Sequence, residues 1–532
     1  MIQKLQYFLI LLSMCLFIGC GKKINMDTKL DLENQLPNIV FILADDLGYG
    51  DVEKFNLESK IPTPNLNKLA EEGISFNNAH APSAVCTPSR YSFLTGKYPW
   101  RGKNKSGVSW VWDKPTFDNE TFTIGQMLQK KGYHTACIGK WHLGWNWPTT
   151  DGNPATIKNQ GKNVDYTKPI TGGPTEKGFD YYFGDDVPGF PPHAFIENNM
   201  TIQIPNNWFD TYPFLSGASD KDWEYEKLLG ITTDKAKSYI IERSKKPFFL
   251  FFSMTAPHTP IAPSVKFKGK TNAGIYGDFV NEVDYSVGKI LQVLDSLKIS
   301  DNTLVIFTSD NGSTTQDGEG YQGEIGSMFK NYGHDGSGGL RGIKADAYEG
   351  GHRVPFIAKW IGKIKPNTTS TAQLQHTDML HTFASLLNIS LPDSVAEDSF
   401  NVLPALMGIS EKSDRPALVM QSSLGVLAIQ KDNYKLIMSS GSGGKWTKPI
   451  GEYPIFNESE KGGIWKNLQL YDLDEDIKES NNIASANPKK VMELAKLLAR
   501  YIKSGHSRPN STKNKSDNKL WKQVQWVSYL EI

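Results

Sequence analysis

The sequence has few cysteines and no excess of charge of either sign. Four cysteines occur in 532 residues, and two of them, Cys15 and Cys20, belong to the apolar N-terminal stretch. Only Cys86 and Cys137 remain, and two cysteines are too few for a disulfide framework. We expect both to be free thiols, with a single bridge between them as the alternative. The 58 basic and 57 acidic residues balance to a net charge of +1. This balance gives no reason to expect nucleic acid or an anionic membrane surface as a partner.

No apolar run is long enough to span a bilayer comfortably. The residues from Tyr7 to Gly19 are almost wholly apolar, with lysines on either side. This short run predicts a secretion signal peptide over residues 1–20. We therefore expect an exported protein that is periplasmic or displayed on the cell surface.

The end of the apolar run resembles the lipobox of bacterial lipoproteins, in which a cysteine becomes the lipidated first residue of the mature protein. Gly19-Cys20 fits this pattern, whereas Phe17 stands where leucine is usual. The match predicts a lipid anchor at Cys20 as the only membrane attachment, followed by a polar tether over residues 21–35. Simple cleaved export and a membrane anchor are the alternatives.

A chain of 532 residues exceeds the usual size of one domain. Hydrophobic residues make up 39% and aromatic residues 11% of it, which excludes a disordered chain. We predict a large domain over residues 36–411 and a smaller one over residues 412–532.

Three apolar runs in the large domain are continuous rather than alternating. They cover residues 38–44, 248–252 and 304–308, and such runs are typical of strands buried on both faces of a parallel or mixed sheet. Helical patterns lie between them, the clearest over residues 277–297. The sequence therefore predicts an α/β sandwich, in which helices flank a large mixed central sheet and functional residues follow the carboxyl ends of its strands.

The character of the chain changes after about residue 408. Residues 417–430 and 433–438 have the pattern of antiparallel strands, and residues 488–502 have that of an amphipathic helix. We predict a small C-terminal α+β domain with an antiparallel sheet, onto which Trp521 and Trp526 pin the end of the chain.

Two pairs of polar residues directly follow predicted strands. Asp45 and Asp46 come after the first buried strand, and Asp310 and Asn311 come after the third. Such pairs often form turns or caps. Because the carboxyl ends of parallel strands meet at one edge of a sheet, the four side chains can also converge on one point, and their hard oxygen atoms favour calcium or magnesium.

The stretch Cys86-Thr87-Pro88-Ser89-Arg90 places a thiol where a turn enters a helix, with an arginine one helical turn further on. A lone cysteine near an arginine is usually a small buried side chain beside a surface charge. Here the run continues to Gly96, and the whole stretch resembles the signature of type I sulfatases of the alkaline phosphatase superfamily. In that family the cysteine of C-x-P-S-R is oxidised after translation to Cα-formylglycine.

Two further stretches fit the same family. The run from Gly132 to Lys140, extended by Trp141-His142, resembles the second signature almost position for position, and the run from Tyr348 to Pro355 is typical of the family. The resemblance is strong from about Asn38 to Lys359. It implies an alkaline-phosphatase-like sandwich fold for the large domain and a catalytic role for it.

The resemblance also implies roles for individual side chains. It implies one calcium ion surrounded by Asp45, Asp46, Asp310, Asn311 and the modified Cys86. It implies that Lys140 and Lys344 bind the sulfate and that Arg90 helps to stabilise its charge. His142 takes the role of the base at the formylglycine, and His258 is the candidate proton donor to the leaving group.

The family mechanism gives position 86 the role of an aldehyde hydrate. One hydroxyl of the hydrate attacks sulfur and releases the alcohol, and the other, deprotonated by His142, expels sulfate and restores the aldehyde. The resemblance thus predicts a sulfatase that depends on calcium and formylglycine, with a formylglycine-generating maturation enzyme as a partner. The alternatives are a phosphonate or phosphate ester hydrolase of the same superfamily and a glycan-binding surface lipoprotein without catalysis.

We expect the substrate to be a sulfated carbohydrate of the glycosaminoglycan or algal type. Export, the family's common use and the long aromatic loops support this expectation, and the loops contain four tryptophans able to stack on sugar faces, namely Trp110, Trp112, Trp145 and Trp147. Three further residues are candidates for lining the sugar pocket, namely Asp186, His193 and His334.

Overall fold

A fully buried strand, β1 (Asn38–Ala44), lies in the middle of the main sheet. It pairs in parallel with β10 (Phe248–Ser253) on one side and with β11 (Thr303–Ser309) on the other. All residues of the three strands are buried. Apolar runs without alternation therefore form central strands covered on both faces, as the sequence predicts.

Ten strands form this main sheet, in the order β13-β2-β12-β11-β1-β10-β4-β5-β6-β7. Its central strands β11, β1, β10, β4 and β5 run parallel, whereas β12, β6 and β7 pair antiparallel with their neighbours. The sheet is mixed, as predicted. Its other strands are β2 (Ile74–Phe76), β4 (His134–Gly139), β5 (Tyr181–Gly184), β6 (Ile196–Glu197), β7 (Met200–Thr201), β12 (Phe356–Lys359) and β13 (Thr368–Ser370).

Helices flank the sheet and are connected to it by loops. The longest, α5, buries a stripe that joins the main hydrophobic core. The helices are α1 (Pro64–Glu71), α2 (Cys86–Thr95), α3 (Ile124–Lys130), α4 (Leu228–Arg243), α5 (Gly274–Ser296), α6 (Ser327–Tyr332), α7 (Glu349–His352), α8 (Met379–Leu386), α9 (Leu403–Leu406) and α10 (Pro488–Ser504).

A separate four-stranded antiparallel sheet forms near the C-terminus, in the order β15-β16-β17-β20. Residues 417–430, predicted to be antiparallel, contain two paired antiparallel strands, and the chain turns between them at Gly425, whose φ is 82°. The strands are β15 (Leu418–Gln421), β16 (Leu427–Lys431), β17 (Tyr434–Ile437) and β20 (Gln469–Asp472). Helix α10 and Trp526 pack on this sheet in a second hydrophobic core.

The remaining strands of the described residues form three short two-stranded sheets. They are β3 (Ala79–His80) with β14 (Leu374–Gln375), β8 (Asn207–Phe209) with β9 (Gly217–Ser219), and β18 (Ile455–Asn457) with β19 (Ile464–Lys466). The loops between β4 and α4 thus contain several short strands where the sequence showed little periodicity.

The computed structural model describes residues 36–118, 120–210, 215–457, 464–509, 511–512 and 520–531. The predicted signal peptide (1–20), with Cys20, and the tether (21–35) lie outside the described residues, so both stay predictions. Within the described part, no helix has the length and apolar character needed to cross a membrane. Cys86 and Cys137 are both free thiols, so the alternative of a bridge between them is wrong.

Lys435 of β17 connects the small sheet to α7. Its Nζ lies 2.9 Å from Glu349 Oε1 and 2.8 Å from Glu479 Oε1, and all three side chains are fully buried.

Because removing one partner leaves buried charges uncompensated, we expect Lys435→Met to lower the free energy of unfolding by about 3–5 kcal/mol. Lys431→Met, which breaks a partly exposed pair with Glu493, should lower it by about 1 kcal/mol or less. Chemical denaturation measures both, and equal losses would contradict this account.

Candidate active site

Four neighbouring parallel strands end at the same edge of the main sheet. In the strand register Ala44 lies beside Ser309, Leu43 beside Ser253, and Ser253 beside Gly139. The residues that follow these ends therefore lie together. They are Asp45 and Asp46 after β1, Asp310 and Asn311 after β11, Lys140 and His142 after β4, and His258 after β10.

Cys86 is the first residue of α2, and the whole helix is buried. One ligand-type atom each from Cys86, Asp45, Asp46 and His258 lies within 4.8 Å of the others. The amino end of a helix carries partial positive charge, which favours an anion at this position. The structure thus brings the thiol of the signature to the strand ends that the sequence predicts for the site.

Each carboxylate of the cluster is paired with a cation. Lys140 Nζ donates to Asp45 Oδ2 at 2.7 Å, and Lys344 Nζ donates to Asp46 Oδ2 at 2.7 Å. Burial raises the pKa of the Asp45 carboxyl, but the charge of Lys140 and other neighbouring cations outweighs it and holds that pKa well below its usual range. Asp45 is therefore ionised, and the lysine charges are concentrated at the cluster.

Arg90 binds the cluster at Asp310 and at the residue that follows β4. Its Nε donates to Asp310 Oδ2 at 2.9 Å, and its Nη2 forms an ion pair with the same oxygen at 2.9 Å. Its Nη1 donates to the Lys140 carbonyl at 3.1 Å and to Ser253 Oγ. The side chain is fully buried. In this arrangement Arg90 orients Asp310 and the end of β4, so it acts as a positioning residue. Sequence reasoning missed Ser253, because no motif marks it.

Two oxygen atoms of the cluster have no hydrogen-bond partner among the described residues, although both are buried. They are Asp45 Oδ1 and Asn311 Oδ1, while Asn311 Nδ2 donates to Asp46 Oδ1 at 2.8 Å. Burial and the charge of Asp45 raise the pKa of Asp310. A divalent cation would satisfy the two oxygens and relieve the crowding of carboxylates, so the donor set fits a hard metal ion.

The thiol of Cys86 lies in an electropositive environment. Burial alone raises the pKa of this thiol, but the charges of Lys140 and Lys344 and a hydrogen bond with His258 outweigh burial and lower it from 9.0 to about 7. The environment therefore stabilises negative charge on the group at position 86.

His142 is held in one tautomer. Its Nε2 donates to the Ser109 carbonyl at 2.9 Å, which leaves Nδ1 with the lone pair, and Nδ1 is buried with no partner among the described residues. Burial, aided by Lys140 and Arg90, lowers the pKa of His142 well below 6.5. The imidazole is therefore neutral near pH 7 and can accept a proton at Nδ1. No sequence signal marked Ser109.

His258 is the histidine directly beside the thiol. Its Nδ1 donates to the Thr259 carbonyl, and its Nε2 lies 3.7 Å from Asp46 Oδ2. The side chain is 17% exposed. Since the other groups around it are nearly inaccessible, His258 lies on the open side of the cluster.

Only one of the three predicted sugar-pocket residues lies against the cluster. Asp186 Oδ1 accepts a hydrogen bond from the backbone N–H of His142 at 3.0 Å. In His193, which is buried, Nε2 donates to the Leu215 carbonyl and Nδ1 accepts from the Tyr225 hydroxyl. His334 is also buried, and its ring bonds to Asp51 and to a backbone N–H. Both rings therefore have protein partners, and the structure gives no support for sugar binding by them.

Asp185 is buried, and neither of its carboxylate oxygens has a hydrogen-bond partner among the described residues. Burial raises the pKa of this carboxyl from 3.8 to about 7. A carboxyl with a higher pKa in the folded state stabilises the fold below about pH 4, and this contribution is lost as the pH rises through about 7.

We therefore expect Asp185→Asn, which stays neutral, to raise the unfolding free energy at pH 8 by about 2–4 kcal/mol and to leave it unchanged at pH 4. Asp222→Asn, at an exposed position, is the matched control without a gain. Denaturation at the two pH values is the measurement. A gain of equal size at both would show that burial of the charge is not the cause.

Comparisons with known proteins identify the family of this chain. The protein-family model described as Sulfatase matches residues 37–389. The N-acetylgalactosamine-6-O-sulfatase of Bacteroides thetaiotaomicron is 35% identical over 518 residues, 91% of this chain and 96% of that protein. Human arylsulfatase A is 31% identical over 483 residues, 87% of each chain.

Solved structures agree as well. A Bacteroides thetaiotaomicron structure described under the metabolism of multiple glycosaminoglycans matches with a TM-score of 0.76 and 33% identity, covering 87% of this chain and 99% of that one. The PsFucS1 sulfatase from Pseudoalteromonas sp. shares the fold, with a TM-score of 0.67 and 24% identity over 92% of this chain and 94% of that one. The fold, the family match and the arrangement of the signature residues lead to one conclusion: this chain belongs to the sulfatase family and is a sulfuric ester hydrolase.

Proposed function

We propose that this protein is a calcium- and formylglycine-dependent sulfatase that removes sulfate from 6-O-sulfated N-acetylgalactosamine in sulfated glycans. The observation that carries the proposal is the position of Cys86, at the first residue of a buried helix and beside Asp45, Asp46 and His258. Sulfate ester hydrolysis needs a nucleophile aligned on sulfur, cations near the sulfuryl oxygens and a proton for the departing alcohol. Each need has a candidate side chain here.

The carboxylates and the amide would hold the calcium ion. Asp45, Asp46, Asp310 and Asn311 surround the position with oxygen atoms, two of which lack another partner. Bound there, calcium would act as a Lewis acid toward the nucleophile and the sulfuryl group. It would also neutralise the carboxylates and so leave more of the charge of Lys140 and Lys344 to an anionic substrate.

A thiolate at position 86 is unsuited to the reaction, because its sulfur product does not break down easily. The Sγ atom of Cys86 stands where the oxygen of a converted residue would lie. Conversion to formylglycine would supply a hydrated aldehyde as an oxygen nucleophile. The charges of Lys140 and Lys344 lower the pKa of the thiol, and together with the helix end they would stabilise negative charge on that oxygen as well.

The two histidines are the candidates for proton transfer. His142 is neutral, with its free lone pair at Nδ1, so it is the candidate base at position 86. His258 lies on the open side of the cluster, where the alcohol of a substrate must leave. Because its Nδ1–H is bonded to the Thr259 carbonyl, donation needs a second proton on Nε2, and in that protonated form His258 is the candidate donor to the leaving group. Lys140 and Lys344 bind the sulfuryl oxygens, and Arg90 keeps Asp310 in place.

The substrate half of the proposal is supported by the relatives. The Bacteroides thetaiotaomicron relative, which matches over nearly its whole length, is named for 6-O-sulfated N-acetylgalactosamine. The N-terminal sequence predicts export, and an exported enzyme in the periplasm or at the cell surface meets glycans outside the cytoplasm. A formylglycine-generating enzyme is the required maturation partner.

The direct test is release of free sulfate from N-acetylgalactosamine-6-sulfate, from other defined sulfated monosaccharides and, in parallel, hydrolysis of a phosphonate monoester. We expect the first substrate to give the highest kcat/KM, and Cys86→Ala to lower it at least about 1,000-fold, as loss of a nucleophile does. Mass spectrometry of the peptide with residue 86 should show the aldehyde. A higher kcat/KM on the phosphonate, or full activity with an unmodified cysteine, would overturn the proposal.

The metal assignment has a test that does not depend on activity. We expect the purified protein to contain about one calcium per chain and Asn311→Leu to contain almost none, because the substitution removes a buried oxygen ligand. Metal analysis after dialysis gives the content. Asn153→Leu, at an exposed position, should keep its calcium. Equal contents in the two variants would remove Asn311 from the ligand set.

A further inference from the structure

Two loops hold His142, and each carries an aromatic side chain. The first contains Ser109, whose carbonyl accepts from His142 Nε2 at 2.9 Å, and Trp110 is the next residue. The second contains Asp186, which accepts from the backbone N–H of His142 at 3.0 Å, and Phe190 follows four residues later. The position of both aromatic rings is thereby coupled to the candidate base.

The two rings form a stack beside the active site. The ring centroids of Trp110 and Phe190 lie 5.7 Å apart with an interplanar angle of 14°. Phe190 also meets the ring of His142 edge-on at 6.3 Å. Trp110 is 46% exposed, so much of this large apolar ring is open to water. We call the pair Trp110 and Phe190 the aromatic shelf.

The exposed ring sits on a rigid loop. Ser109 N donates to Thr87 Oγ1 at 3.1 Å, directly next to Cys86, and Trp110 N donates to Asp113 Oδ2 at 2.7 Å. The Asp113 carbonyl in turn accepts from Trp145 N at 3.1 Å. An exposed aromatic side chain on an ordered backbone loses little conformational entropy when a ligand binds to it.

The other three tryptophans of these loops are less accessible. Trp145 is 1% exposed. Trp112 and Trp147 are partly buried and pack against each other, with their ring centroids 5.4 Å apart. Of the four tryptophans that the sequence offers for sugar stacking, Trp110 therefore has the most open ring.

We propose that the aromatic shelf binds the sugar residue next to the sulfated one, with the apolar face of that sugar on the Trp110 ring. This inference rests on the proposed function. Phe190 packs against both His142 and Trp110, so Trp110 lies one ring further from the reacting group than Phe190 does. The sulfated sugar must lie at the reacting group, and the Trp110 ring is therefore placed for the neighbouring sugar. The shelf thus selects for chain length, favouring a sulfated oligosaccharide over a monosaccharide.

The test compares a sulfated monosaccharide with an oligosaccharide that carries the same sulfated residue, using the matured enzyme. For Trp110→Ala we expect kcat/KM on the oligosaccharide to fall about ten-fold, which corresponds to about 1.4 kcal/mol, mainly through a higher KM. On the monosaccharide it should stay within about two-fold of the wild type. Trp110→Phe should restore most of the oligosaccharide activity. Tyr529→Ala, which removes an aromatic ring of 48% exposure from the C-terminal segment, is the control without effect.

Each other outcome overturns the inference. An equal loss on both substrates would show that Trp110 only positions the loop that holds His142. No loss on either would show that the shelf binds no sugar, while leaving the proposed function intact. If the wild-type enzyme releases no sulfate from either substrate, the proposed function fails and the shelf assignment fails with it.

Discussion

The structure around position 86 depends on the pairing of three buried carboxylates with three buried cations. Asp45, Asp46 and Asp310 follow two central strands, and Lys140, Lys344 and Arg90 bind them within hydrogen-bond distance. Isolated charges of either sign would be very costly to bury, so neither set can be placed here without the other. The result is a buried site in which charges are already oriented toward position 86.

Such preorganisation is what transfer of a sulfuryl group requires. Charges that are fixed before the substrate arrives need no reorganisation as charge develops on the sulfuryl oxygens, and low local dielectric makes them more effective than in water. The same requirement explains the residues that hold these groups in position. Ser109 sets the tautomer of His142, Asp186 holds its backbone, and Ser253 and Arg90 hold the strand ends, although none of the four need touch the substrate.

The small sheet near the C-terminus contributes to the same part of the molecule by a second buried charge network. Lys435 on β17 reaches Glu349 in the stretch from Tyr348 to Pro355, which also lies close along the chain to Lys344. The stretch that is typical of the family therefore has a structural role at the boundary of the two sheets. This role explains why Glu349 and Arg353 of this stretch are buried although both side chains are charged.

The sequence by itself determined the main elements and the chemistry of the site. Continuous apolar runs are typical of strands covered on both faces, and polar residues directly after parallel strands can meet at one edge of the sheet. The predictable features were therefore β1, β10, β11, Asp45, Asp46, Asp310 and Asn311. Tertiary structure alone decided the rest, because it depends on contacts between residues far apart in the chain. The partners of His142, the placement of Arg90 behind Asp310, the burial of His193 and His334 in protein contacts, and the exposure of Trp110 have no local pattern from which they could be read.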